Sequence, residues 1–185
     1  LDIIFAGYNG SRFIRVLRNT GGTFSIVQHI QPAVSSCQVA WGDHDGDGDL
    51  DVAINGYTGE PPFDEWLRVY RNDNQTLNLE QEPYGPGVGM NPGTVAWGDY
   101  DSDGDLDWLV TGRDSYNAKR VQVWRNDNGT LILHHQPHSL YYSTGLWGDY
   151  DGDGDLDAVV TGDTGSAYRL AILENNAGTL SVAIE

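Results

Sequence analysis

The chain has 185 residues, 39% of them hydrophobic, and a formal net charge of −17 from 27 acidic against 10 basic residues. A surface this acidic repels phosphate backbones and anionic bilayers, which excludes nucleic acid as a partner; no apolar run approaches the roughly 18 residues of a membrane span, which excludes membrane insertion. With one cysteine, Cys37, no intrachain disulfide can form, and that residue reads as a small apolar filler of a strand.

No basic-then-apolar leader opens the chain, since Leu1 to Phe5 already reads as a strand. Ile3 to Gly7 and Phe13 to Leu17 are short apolar runs, followed by a turn at Thr20 to Thr23. A fuller unit begins at Val39-Ala40-Trp41-Gly42 and passes through an acidic loop into Val52-Ala53-Ile54-Asn55-Gly56. It continues with Leu67 to Arg71, the turn Asn72-Asp73-Asn74 and a run from Leu77. The same order recurs from Val95, with Trp97, Trp108 to Gly112, Val121 to Arg125, Asn126 to Gly129 and Leu131. It recurs again from Gly145, with Trp147, Ala158 to Gly162, Leu170 to Glu174, Asn175 to Gly178 and Leu180. Runs of about five to seven residues, rich in β-branched and aromatic types and bounded by Gly, Asn or Asp, predict strands. No segment sustains the 3.6-residue apolar period of a helix.

Four short antiparallel strands in a repeat of about 50 residues make one blade of a β-propeller, and a blade must stack on neighbours to cover its faces. The predicted fold class is all-β, with about 3.75 four-stranded blades. These are an incomplete first blade at 1–35 and further blades at 36–91, 92–142 and 143–185, together one propeller domain or fragment. Leu1-Asp2 aligns with Leu50-Asp51, Leu106-Asp107 and Leu156-Asp157, so the first blade lacks its first strand. Either further blades or other copies of the chain would complete a ring. Trp41, Trp97 and Trp147 are expected to pack between blades, and His134, His135 and His138 to lie on a solvated strand end.

More than half of the acidic residues sit in three loops that read Asp-x-Asp-x-Asp-Gly-Asp-Leu-Asp. These hold Asp43, Asp45, Asp47, Asp49 and Asp51; Asp99, Asp101, Asp103, Asp105 and Asp107; and Asp149, Asp151, Asp153, Asp155 and Asp157. Carboxylates at alternate positions repel one another unless a cation joins them. Ca²⁺ takes six to eight oxygens from such a loop, with glycine at the sixth position to allow the sharp turn, here Gly48, Gly104 and Gly154. The first, third, fifth and ninth positions would supply carboxylates. The seventh (Asp49, Asp105, Asp155) would supply its backbone carbonyl and leave its side chain to solvent. Mg²⁺ suits such a loop less well, and zinc lacks its Cys and His ligands. A helix-flanked EF-hand is excluded because its twelfth position requires Glu, whereas Ile54, Val110 and Val160 stand there.

Trp-Gly-Asp-x-Asp-x-Asp-Gly-Asp-Leu-Asp, then an apolar strand ending in Gly, then Val-Tyr-Arg-Asn-Asp-Asn, resembles the FG-GAP/VCBS repeat. The resemblance covers essentially the whole chain. It implies the calcium-binding propeller of integrin α subunits and many bacterial secreted proteins. In that family the loop joins the first and second strands of a blade. Three complete calcium sites follow, with Asp2 as the last ligand of a fourth, truncated one. Blade number is the departure, because the family implies about seven.

The expected role is a calcium-stabilised scaffold, extracellular or at a cell surface, whose loops opposite the calcium end bind a protein or carbohydrate. The variable segments there offer Phe63, Trp66, Tyr84, Tyr116, Tyr141 and Tyr142 as contact groups. The alternative is a purely structural or self-associating propeller fragment. A calcium-dependent hydrolase or lyase is a remote third, since no nucleophile–base arrangement is apparent and the chain is not expected to be an enzyme.

Overall fold

The computed structural model describes residues 2–59, 65–83, 88–138 and 140–184, with the backbone alone at 137, 138, 141 and 142. The described chain is all-β. A three-stranded sheet holds β1 (Ile3–Tyr8), β2 (Arg12–Thr20) and β3 (Thr23–Ile30). Three four-stranded sheets follow: β4 (Ser35–Gly42), β5 (Asp51–Tyr57), β6 (Glu65–Asp73) and β7 (Thr76–Gln81); then β8 (Thr94–Gly98), β9 (Asp107–Arg113), β10 (Lys119–Asp127) and β11 (Thr130–His138); then β12 (Tyr141–Gly148), β13 (Asp157–Asp163), β14 (Tyr168–Asn176) and β15 (Thr179–Ile184). Each sheet is an antiparallel meander in chain order, the topology of a propeller blade.

Two expectations are corrected. The third strands β6, β10 and β14 each run to nine residues, because the Asn and Asp read as turn remain paired in the ladder. Only two residues turn each outer hairpin. Gly21-Gly22, Asn74-Gln75, Asn128-Gly129 and Ala177-Gly178 all have positive φ at both positions, the backbone whose twist suits tight hairpins. The segment around Tyr141 and Tyr142, expected to be one of the variable loops, is largely the end of β11 and the start of β12, and Tyr141 pairs with Asp163.

The core lies between the blades. Ile14, Val16 and Ile30 of the first blade meet Val52, Ile54 and Tyr70 of the second. Ala53, Leu67 and Val69 then meet Val95, Trp108, Val110 and Trp124, and Leu109, Val121 and Val123 meet Ala158, Val160, Ala171 and Leu173. Strand alternation explains this: one face of each blade looks back, the other forward. Trp97 and Trp147 sit at the joints as expected, whereas Trp41 is 36% exposed. A Cβ on Gly42 would lie 2.7 Å from the Trp97 ring, and one on Gly98 would lie 2.5 Å from Trp147. Glycine lets these rings lie flat on the preceding blade. Trp97 lies tilted beside His44, and Trp147 lies nearly parallel to Tyr100 at 5.8 Å between centroids. Cys37 is half-buried against the joint between the first and second blades, where burial pushes its thiol pKa up.

Candidate metal centre

Each acidic loop joins the first two strands of a complete blade, β4–β5, β8–β9 and β12–β13. Gly48, Gly104 and Gly154 have φ of 93°, 98° and 99°, backbone that side chains disfavour. The Asp side chains fold the loop on itself. Asp43 accepts from the Gly48 N–H at 3.1 Å, and Asp45 accepts from the Asp47 N–H at 3.2 Å. Asp47 accepts from the Asp49 N–H at 2.8 Å. Equivalent bonds run from Gly104 to Asp99 and from Asp105 to Asp103, and in the third loop from Asp153 to Asp151 and from Asp155 to Asp153.

Three carboxylates per loop converge. One oxygen from each of Asp43, Asp45 and Asp51 lies within 4.8 Å of the others, as do those of Asp99, Asp101 and Asp107, and of Asp149, Asp151 and Asp157. Asp47, Asp103 and Asp153 stand outside these groups. Like charges at that separation repel by roughly 1–3 kcal/mol per pair for an effective dielectric between water and a protein surface. Asp43 Oδ1 and Asp101 Oδ1 are buried with no hydrogen-bond partner. Anionic oxygens aimed at a shared point, some of them orphaned, fit a hard divalent cation such as Ca²⁺. Burial pushes Asp51 upward and Asp107 up to about 7, with the neighbouring loop carboxylates adding to both shifts.

The ninth-position Asp does more than face the cluster. Asp51 accepts from the His44 N–H at 2.8 Å through one oxygen and from the Asn72 N–H at 2.8 Å through the other. Asp107 takes Tyr100 and Asn126, and Asp157 takes Tyr150 and Asn175. Asp2 makes the same bond to the Asn19 N–H at 2.9 Å. Its observed role is thus to brace β1 to β2. At the seventh position Asp49 is exposed to solvent as expected, but the other two depart from that expectation. The carboxylate of Asp105 accepts from the Asn128 N–H at 2.8 Å and that of Asp155 from Ala177 at 3.1 Å, bridging the loop to the adjacent hairpin turn instead of facing solvent.

Residues outside the motif complete the site. Asn126 donates its side-chain amide to the His44 carbonyl of the preceding blade at 3.0 Å, and Asn175 does so to Tyr100 at 2.5 Å. These asparagines cap their own hairpins and fasten the loop of the previous blade. Their recurrence in register before each turn was the available signal. The third strands also place Arg71, Arg125 and Glu174 at one equivalent position, and the Arg71 Nε lies 4.0 Å from Asp45.

Among the expected partner-binding residues, Phe63 and Tyr84 lie outside the described residues, as do the side chains of Tyr141 and Tyr142. Trp66 is partly buried beneath Arg68, whose guanidinium sits 3.3 Å from the ring centroid. Tyr116 is 64% exposed on the β9–β10 turn, which Asp114 holds by accepting from the Tyr116 and Ala118 N–H groups. Tyr168, 84% exposed at the start of β14, joins it at the same end of the blades. Of the histidines, His135 departs from the expected solvated position. His134 bonds the Tyr100 hydroxyl while remaining exposed, and His135 donates to the Gly178 carbonyl at 3.0 Å, fastening the third blade to the fourth. The side chain of His138 is outside the described residues.

Stacked four-stranded blades with an Asp-rich loop at the same corner of each complete blade define a repeat protein of the β-propeller class. The FG-GAP-like repeat family matches residues 1–54 and 57–110, more than half of the chain, and the chain belongs to that family. No curated protein matches it significantly. Among solved structures, the chain is similar to an Agrocybe aegerita lectin described for specific recognition of non-reducing terminal N-acetylglucosamine. The TM-score is 0.54 at 17% sequence identity, over 97% of this chain and 51% of the lectin chain. The chain thus spans about half the length of that structure, and the likeness concerns the fold.

Proposed function

We propose that the chain is a calcium-binding recognition module, in which Ca²⁺ holds the loops of successive blades and the opposite end contacts a protein or carbohydrate. The observation that carries this reading is the threefold recurrence of convergent carboxylates, with buried, unpartnered oxygens at Asp43 and Asp101. The first, third and ninth Asp of each loop would hold the ion, which would supply the positive charge that the cluster lacks. Glycan recognition is supported by the lectin of similar fold and by exposed Tyr116 and Tyr168, since aromatic faces suit sugar rings. An extracellular or cell-surface setting is supported by the family, and such settings suit calcium modules of modest affinity.

The test is thermal melting and calorimetry with calcium and with excess EGTA. Each site saturated at 100 times its Kd adds about 2.7 kcal/mol, so three sites predict a large rise in Tm and a stoichiometry near three. An unchanged melt would remove calcium from the reading. Titration with N-acetylglucosamine, read by the fluorescence of wild type and of Tyr116→Ala with Tyr168→Ala, tests the opposite end separately.

A further inference from the structure

A continuous run of hydrogen bonds passes from the first acidic loop through the second to the third, and each ninth-position carboxylate lies on it. Asp51 accepts from the His44 N–H at 2.8 Å, and the His44 carbonyl accepts from the Asn126 side-chain amide at 3.0 Å. The Asn126 N–H donates at 2.8 Å to Asp107, whose other oxygen accepts from the Tyr100 N–H at 2.9 Å. The Tyr100 carbonyl then accepts from the Asn175 amide at 2.5 Å, and the Asn175 N–H donates to Asp157 at 2.8 Å. His44 and Tyr100 stand between the first and third aspartates of their loops. Each is therefore held on one side by its own loop and on the other by the next blade. Their side chains reach the same way, His44 against Trp97 and Tyr100 against Trp147. Gln81, at the end of β7, adds to the first of these joints by accepting from the Leu131 N–H at 3.1 Å and meeting the His44 ring at 3.0 Å.

Burial makes this run a mechanical link. Asp51, Asn126, Asp107, Tyr100 and Asn175 are 0% exposed, and His44 and Asp157 are 1% exposed. Water cannot replace a partner lost at such groups, and a buried donor or acceptor left unpaired is costly. The bonds therefore form and break together.

Resting on the calcium reading above, we infer that Asn126 and Asn175 are positioning residues that each serve the ion sites of two blades, so that the three sites load with positive cooperativity. When Asp43, Asp45 and Asp51 are drawn together on an ion, the His44 peptide is fixed, and that peptide seats the Asn126 amide. Seated Asn126 presents its N–H to Asp107, which removes part of the ordering cost of the second loop before that loop is loaded. Asn175 repeats the step from the second loop to the third. By linkage the coupling is reciprocal. Asn72, the equivalent residue of the second blade, is the internal contrast. Among the described residues, its side chain bonds the Leu50 carbonyl and the Gln75 N–H, both of its own blade.

The experiment is a calcium titration of the 185-residue chain followed by NMR, in which the Gly48, Gly104 and Gly154 amides report the three loops separately. Asp101→Ala removes a carboxylate of the second cluster but no bond of the run. It should raise the calcium concentration at the first loop's midpoint about fivefold or more. In an Asn126→Ala background the same substitution should leave that midpoint unchanged. The charge effect of Asp101→Ala is common to both backgrounds and cancels in the comparison. Asn72→Ala removes a hairpin cap of the same kind and should keep the fivefold effect, which separates positioning from a general loss of stability. If Asn126→Ala does not fold, Asn126→Asp, which keeps the oxygen that caps the Gly129 N–H, replaces it. A first-loop midpoint indifferent to Asp101→Ala overturns the inference, and so does an effect that persists in the Asn126 variant. Both outcomes leave calcium binding itself intact, whereas glycine amides that do not move with calcium at all overturn the calcium reading as well.

Discussion

At a single third-strand position, the three loops stop being equivalent. Arg71 stands near Asp45, and Arg125 lowers the pKa of Asp101 as a smaller contribution beneath burial and Asp103. Glu174 instead adds negative charge beside Asp151, whose pKa is raised first by burial. A cation therefore meets one more positive charge at the first two loops and one more negative charge at the third. At the high effective dielectric of exposed groups this amounts to several-fold in affinity. The third loop is expected to fill first, Glu174→Arg to weaken it several-fold, and Arg71→Glu to strengthen the first loop. Competition of calcium with terbium luminescence reads all three, and identical affinities in wild type and Glu174→Arg would refute the ranking. A second residue-scale expectation concerns Ala177, which holds φ of 49° in its hairpin. Ala177→Gly removes the strain of left-handed backbone and should stabilise the chain by about 0.5–1 kcal/mol, read by urea unfolding.

Blade stacking is an element-scale property, and the glycine before each loop reports it. Gly42→Ala and Gly98→Ala would drive a methyl into the Trp97 and Trp147 rings, at indole atoms near the Cβ that cannot swing away cheaply. Overpacking of this kind costs about 1–3 kcal/mol. Gly148 is the same residue in the same motif, yet a Cβ there meets nothing within 4 Å. Gly148→Ala is therefore expected to unfold at the wild-type urea midpoint, and equal loss in all three variants would mean that strand propensity, not stacking, sets the effect. The strands, their order and the loop glycines were legible in the sequence because period-2 patterning and turn residues are local signals. The roles of Asn126, Asn175, Gln81 and His135 were not, because each reaches a backbone group 43 to 82 residues away in the chain. The same limit explains the seventh-position carboxylates. Spacing along a loop says which side chains alternate, but not that Asp105 would find the Asn128 N–H across a hairpin.

Across the whole molecule, the loops couple stability to both pH and calcium, and the two act in opposite senses. Without calcium, burial raises the Asp107 carboxyl from 3.8 to about 7, and Asp51, Asp101 and Asp151 shift in the same direction. A raised carboxyl pKa means that the folded chain holds its proton more tightly than the unfolded chain. The resulting stabilisation is complete below about pH 4 and is lost as pH climbs through about 7. Calcium requires the deprotonated carboxylates, so its binding releases protons and its affinity should rise over the same interval. The calcium-free chain is thus expected to melt at progressively lower temperature between pH 5 and pH 7.5, and the calcium-saturated chain to show a flat or rising Tm over that interval. Melting curves at fixed ionic strength, in EGTA and in millimolar calcium, make the comparison. Parallel pH profiles in the two conditions would mean that the buried ninth-position aspartates are not part of the ion site, and that they serve only to brace the second strand of each blade to the third.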